Sequence, residues 1–263
     1  MRRFVKLLIC GALCCLPAYA GAAAPGTAAD LLACMRANLP ESLRAQDVTI
    51  TAFDRAGAGR TLRGTLYARR NEGRVQAMLA VHEPADLGGS AYLAREVEGG
   101  GQEIYLYLPA LGKVHRIRAQ NIDASMLGTD LHYDDLKQLA NAFAGTQPAL
   151  EAPDSLDGRP VLVLSARAPA GQSARFDRVR AWVDQQTCVA VRVVFYRGPA
   201  AQREFRVPAG AIAKGGEHWY ASRATMTDLE TATHTDFSVL GLRTGQKVAD
   251  PVFDPHLFYI GNN

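Results

Sequence analysis

The chain has 263 residues, 48% of them hydrophobic, and 29 basic against 26 acidic side chains, a formal charge of +3 at pH 7. Arg2, Arg3 and Lys6 account for that whole excess, so the rest is neutral and offers no bulk field to nucleic acid or to an anionic membrane. No repeat or low-complexity linker divides the chain, and one domain over residues 21–263 is expected.

Residues 1–20 have the layout of a secretory signal peptide. Arg2, Arg3 and Lys6 precede an apolar stretch from Leu7 to Leu16, and Ala18-Tyr19-Ala20 matches an A-x-A cleavage site. A membrane anchor needs about 20 apolar residues, more than this stretch holds. Cys10, Cys14 and Cys15 follow Ile9, Leu13 and Cys14, not the small residue of a lipoprotein signal. Export to the periplasm with cleavage near Ala20 is the expectation. Cleavage would leave two cysteines, Cys34 and Cys188, which in an oxidising compartment form either one disulfide or two buried thiols. The chain-entropy model gives a bridge over so long a loop about 5 kcal/mol at most.

The stretch GTAADLLACMRANLP sets Leu31, Leu32, Met35 and Leu39 near one helical stripe that Pro40 stops. Strands then dominate. DVTITAF, RTLRGTLYARR and RVQAMLAVHEP alternate apolar and polar residues, with Leu62 and Leu66 on one face and Val75, Ala77, Leu79 and Val81 on another. SAYLAREV follows. IYLYLPALGKVHRI reads as a hairpin with its corner at Pro109–Gly112. Ile104, Leu106 and Leu108 share one side of it and face the core or a pocket. Tyr105 and Tyr107 share the other, on an outer face where an aromatic body with a polar tip tolerates partial exposure. YDDLKQLANAF breaks the pattern, since Leu136, Leu139, Ala140 and Phe143 fall at helical spacing after Asp134 and Asp135. Six further strand-like runs extend from PVLVLSAR to ATHTDFSVLGL. The count is about eleven strands and two main helices, mainly β within an α+β class. A curved antiparallel half-barrel is expected, its helices lidding the concave face.

GTLYARR (Gly64–Arg70), followed by IYLYLPALGKV, resembles the paired signature of LolA-type periplasmic lipoprotein carriers. The stretch PADLGGSAYL … IYLYLPALGKVHRI … SMLGTDLHYDDL is similar to a LolA-like branch of outer membrane lipoprotein-sorting proteins. The resemblance covers residues 45–145 well and the later strands by pattern alone. It implies helices closing an apolar cavity for the acyl chains of a lipid or lipoprotein, without cofactor or catalysis. An inner-membrane exporter or an outer-membrane acceptor would then be the protein partner of a monomeric carrier. Cavity lining or lid control falls to Leu66, Arg70, Leu79, Ile104, Leu106, Leu108, Leu136 and Phe143. Arg70 matches the carrier arginine that binds lid backbone, as a guanidinium with five donors is suited to do. Asn71 departs from the proline usual there, and the chain is longer than the compact carriers. The alternative is a LolA-like envelope sensor or accessory subunit acting through protein contacts.

Chemistry-bearing motifs are few. Walker, Rossmann, nucleophile-elbow and H-E-x-x-H patterns are missing from the sequence. Gly88-Gly89-Ser90-Ala91-Tyr92 lacks the last glycine of an elbow, so Ser90 reads as a turn residue. Asp130, His132, Asp134 and Asp135 form either a cation or acid/base cluster, the basis of an envelope-hydrolase reading, or a loop that caps the helix after it. His218 and His234 sit on separate strands with no matched third ligand.

Overall fold

The computed structural model describes residues 25–98, 101–118, 125–132, 148–167, 176–246 and 250–260. The proposed signal segment and the predicted helix carrying Leu136 and Phe143 lie outside them.

Helix α1 spans Ala28–Ala37. Thr27 and Asp30 close a reciprocal capping box at its start. Leu31 is fully buried, with Leu32, Cys34 and Met35 packed beside it. The helix ends before Pro40 as expected, with Asn38 at its C-cap.

Among the described residues sixteen strands follow: β1 (Leu43–Phe53), β2 (Gly59–Asn71), β3 (Arg74–Glu83), β4 (Ala91–Glu96), β5 (Gln102–Leu108), β6 (Lys113–Ile117), β7 (Ala149–Leu150) and β8 (Asp154–Leu156). The rest are β9 (Arg159–Arg167), β10 (Arg178–Asp184), β11 (Ala190–Arg197), β12 (Ala200–Arg206), β13 (Ile212–Gly215), β14 (His218–Ala221), β15 (Arg223–Asp228) and β16 (Thr233–Gln246). Fourteen form one antiparallel sheet, in the order β6-β5-β4-β3-β2-β1-β16-β15-β12-β11-β10-β9-β7 with β8 also on β9. The sheet is curved and open, the half-barrel class expected. β13 and β14 make a separate two-stranded hairpin.

The strand count exceeds the expected eleven for local reasons. β7, β8 and β13 have two to four residues each, too few to show an alternation. HWYASRATMTD reads as one strand but breaks at Ser222, where the chain leaves the small hairpin for the large sheet. There Ser222 N–H donates to the Ala211 carbonyl (2.7 Å) and its own carbonyl accepts from Val239 N–H (2.8 Å).

Register sorts the two faces. On one, Arg44, Gln46, Val48 and Ile50 of β1 stand opposite Ala68, Leu66, Gly64 and Leu62 of β2. Leu66 and Ala68 in turn face Leu79 and Ala77 of β3. Gly64 opens the family-like signature for a steric reason: a Cβ there would lie 2.2 Å from the Ala80 carbonyl oxygen, where the β2–β3 register shifts. On the opposite face, Tyr67, Met78, Leu93 and Tyr105 fall in one cross-strand row, with Ala80, Ala91 and Tyr107 in the next. That outer face is not left to solvent. Residues 250–260 cover it, and Phe253 and Phe258, 4% and 1% exposed, build a second core with Leu43, Met78, Ala80, Ala91 and Leu93. Tyr107 stacks on Tyr259 with ring centroids 4.0 Å apart.

Candidate functional site

The inner face is not filled by its own side chains. A partly open cavity of about 250 Å³ lies between α1, the β13–β14 hairpin and the sheet. Met35 of α1 and Leu39, just past its C-cap, line it on one side, Trp219 and Tyr220 of β14 on another, and Leu66, Leu79 and Phe205 on the sheet. β3 and β12 stand five inter-strand steps apart, roughly 24 Å on a flat sheet. Only curvature brings both to one small cavity, and most of its lining is apolar, as a site for a hydrocarbon chain requires.

The roof is fixed by specific bonds. Cys34 of α1 and Cys188, at the β10–β11 turn, form a disulfide with Cα atoms 5.8 Å apart, which decides between the bridge and two thiols. Asn38 binds in three directions. Its Nδ2 donates to the Thr187 carbonyl (2.7 Å), its Oδ1 accepts from Trp219 N–H (2.9 Å), and its carbonyl accepts from Arg44 Nη1 (3.2 Å). A hydrogen bond of 2.9 Å joins His218 Nδ1 and the Ala37 carbonyl. The C-terminal carbonyls of a helix lack partners within it, and these bonds use that end of α1 to hold helix, hairpin and sheet together. A single asparagine and a histidine gave no sequence signal for this role.

Of the residues singled out beforehand, Leu66 and Leu79 line the cavity. Ile104 is on the same face but packs in the main core at 2% exposure. Leu106 and Leu108 share that face further out, half-buried and away from the cavity. Arg70 lies opposite Val75. Its backbone N–H donates to the Pro40 carbonyl (2.8 Å) and its guanidinium is 3.5 Å from the Glu41 carboxylate. Among the described residues that side chain meets Glu41 and no helix backbone. Leu136 and Phe143 fall outside the described residues.

The Asp130 cluster has a structural part. The Asp130 carboxylate accepts from the hydroxyls of Thr233 and Thr235, and its N–H donates to Thr235 Oγ1 (2.8 Å). Its carbonyl accepts from Arg203, itself 1% exposed. These bonds tie loop 125–132 to β16 and β12, so that Met126 and Leu131 reach the cavity wall. Asp134 and Asp135 lie outside the described residues. Among the described residues no three His, Cys, Asp or Glu side chains gather as a metal site would need. Ser90, 1% exposed, follows a turn in which its N–H donates to the Leu87 carbonyl (2.9 Å). His234 stacks on Phe53 with centroids 4.7 Å apart.

A family model described as "Uncharacterized protein" matches residues 73–257. No curated protein matches the sequence. Solved structures share the fold. A DUF1329 family protein from Desulfovibrio piger superposes with a TM-score of 0.77 at 20% identity, covering 86% of this chain and 95% of the other. A domain named for outer membrane lipoprotein sorting, from Vibrio parahaemolyticus, gives 0.76 at 20% identity over 86% and 95%. A LolA superfamily protein from Nitrosomonas europaea gives 0.64 at 18% identity over 87% and 97%.

Proposed function

Because the chain belongs to the family whose model covers residues 73–257 and folds as the LolA superfamily structures do, we propose that it is a non-catalytic carrier of acyl chains. In this reading residues 1–20 direct export to the periplasm and are removed. The mature domain holds the hydrocarbon of a lipid or lipoprotein between the curved sheet and α1, in outer membrane sorting or transport. The carrying observation is the apolar cavity of about 250 Å³ beneath α1 and the β13–β14 hairpin. The name of the Vibrio domain supports the lipoprotein part of the reading.

The energetics suit a carrier. A sixteen-carbon chain would gain roughly 12 kcal/mol gross at about 0.8 kcal/mol per buried CH₂. Ordering the chain and displacing the roof offset part of that, so cargo is held and can still be released. The cavity shortens the chain length that fits without movement, which makes the roof the adjustable part. Native mass spectrometry of protein purified from its own periplasm is the test. Co-purifying lipid or lipoprotein is expected; protein that is always empty and takes up no acylated probe contradicts the carrier reading.

A further inference from the structure

Two polar side chains of β1 stand in this mainly apolar cavity with few partners. Arg44 and Gln46 sit two residues apart on β1, so both point to the inner face, and both line the cavity. Their cross-strand neighbours are Ala68 and Leu66 on β2 and Thr244 and Leu242 on β16, of which Thr244 alone, opposite Arg44, has a side chain able to hydrogen-bond. Gln46 is 4% exposed, and its amide has no hydrogen-bond partner among the described residues. An amide that faces the cavity rather than a protein partner costs stability once water is displaced unless the incoming group bonds to it.

Arg44 is similarly underused. One bond, from Nη1 to the Asn38 carbonyl, ties it to the end of α1. Its Nε–H is buried without an acceptor, and no carboxylate pairs with it among the described residues. Burial lowers the guanidinium to about 10, opposed in part by the nearby Tyr220 hydroxyl. A guanidinium in that position remains charged at neutral pH, with its positive field directed into a small apolar space. A neutral glyceride would leave that charge unanswered, whereas a carboxylate or phosphate would accept from it in the geometry arginine favours.

We infer that the cavity selects an anionic amphiphile, with the hydrocarbon against Leu66, Leu79 and Phe205 and the acidic head, carboxylate or phosphate, on Arg44 and Gln46. This inference rests on the acyl-carrier reading and narrows it from apolar chains in general to those bearing an acid group.

Calorimetric titration of the delipidated protein tests it, with palmitate, 1-palmitoyl lysophosphatidate and palmityl alcohol as probes below their micelle concentrations. At least one anionic probe is expected to bind about tenfold or more tightly than the alcohol, the scale of a charge-assisted hydrogen bond. Preference for palmitate identifies a free fatty acid head and preference for lysophosphatidate a phospholipid head; either supports the inference. Arg44→Gln is expected to erase the preference for the anionic probes over the alcohol, and Arg44→Lys to keep most of it. Should Arg44→Gln fail to fold, Arg44→Lys and Gln46→Leu still test the site, the latter lowering anionic affinity by about tenfold as expected for one hydrogen bond to an ionised acceptor. Equal affinity for all three probes, or a preference that survives Arg44→Gln, overturns the anionic site and leaves the carrier reading intact. Absence of binding by any probe overturns both.

Discussion

The two faces of strands β1–β5 come from the same alternating stretches and end in different states. On the outer face Tyr67, Tyr105, Tyr107, Met78 and Leu93 are met by Val252, Phe253, Phe258 and Tyr259 of the same chain. The fold has supplied its own cover. On the inner face Leu66, Ala68, Ala77 and Leu79 meet a cavity, roofed by α1 and the β13–β14 hairpin. The contrast separates apolar surface used for stability from apolar surface kept available. It also predicts that substitutions on the two faces act on different measurements.

The largest effect is expected on the sealed face. Phe258→Ala removes a 1%-exposed aromatic from the second core and should cost about 3–5 kcal/mol in denaturant unfolding, with the affinity of the remaining folded protein for an acyl probe unchanged. Next comes the roof. Replacing Cys34 and Cys188 together by alanine frees a loop with a sequence separation of 154, and a loss of about 2–5 kcal/mol is expected under non-reducing conditions. The same variant should exchange cargo faster, since α1 then relies on the Asn38 and His218 bonds and on packing.

Filling the hollow should give the reverse pattern to Phe258→Ala. Leu66→Trp extends a cavity-lining side chain into empty space, and stability should move by less than about 1.5 kcal/mol while acyl-probe binding is lost. A loss of stability comparable to that of Phe258→Ala would mean that the inner face is packed like the outer one.

The smallest effect concerns Asp47, on the outer side of β1. Hydrogen bonding to Arg243 is the main reason its carboxyl lies below the usual range, with Thr65 adding to it. A carboxyl lowered by folding contributes stability above its unfolded pKa of about 3.9, and the contribution disappears as pH falls through the lower folded value. Both partners are about two-fifths exposed, 42% for Arg243 and 41% for Asp47, so solvent screening limits the pair to about 0.2–1 kcal/mol. Asp47→Asn should therefore lower Tm slightly at pH 7 and leave it unchanged near pH 2.

Much of the inner face was legible because a strand writes its faces into alternate residues. Leu62, Leu66, Leu79 and Ile104 were sorted to the correct side by that rule alone, as were Tyr105 and Tyr107. The rule says nothing about what lies opposite. Phe253 and Phe258 belong to a segment whose 3-10 turn, Asp250–Phe253, and following turns show no long period, so nothing local announced that it would cover the tyrosines. Leu106 and Leu108 satisfied the alternation and still missed the cavity, because distance across a curved sheet depends on strand order. Arg44 and Gln46 precede the start of the strand as read from DVTITAF, and an arginine there resembles ordinary solvated surface until its neighbours are known. Asn38 was hidden for the same reason: its side-chain bonds reach Thr187 and Trp219, both distant in sequence.

The central claim is that hydrocarbon enters the inner cavity and is refused by the sealed outer face. Photo-crosslinking with a palmitate analogue bearing a diazirine near its terminal carbon, followed by peptide mapping, tests it most directly. Label on peptides containing Leu66, Leu79 or Trp219 is the predicted result. Label confined to Tyr105, Tyr107 or residues 252–259, or none at saturating probe, would contradict it.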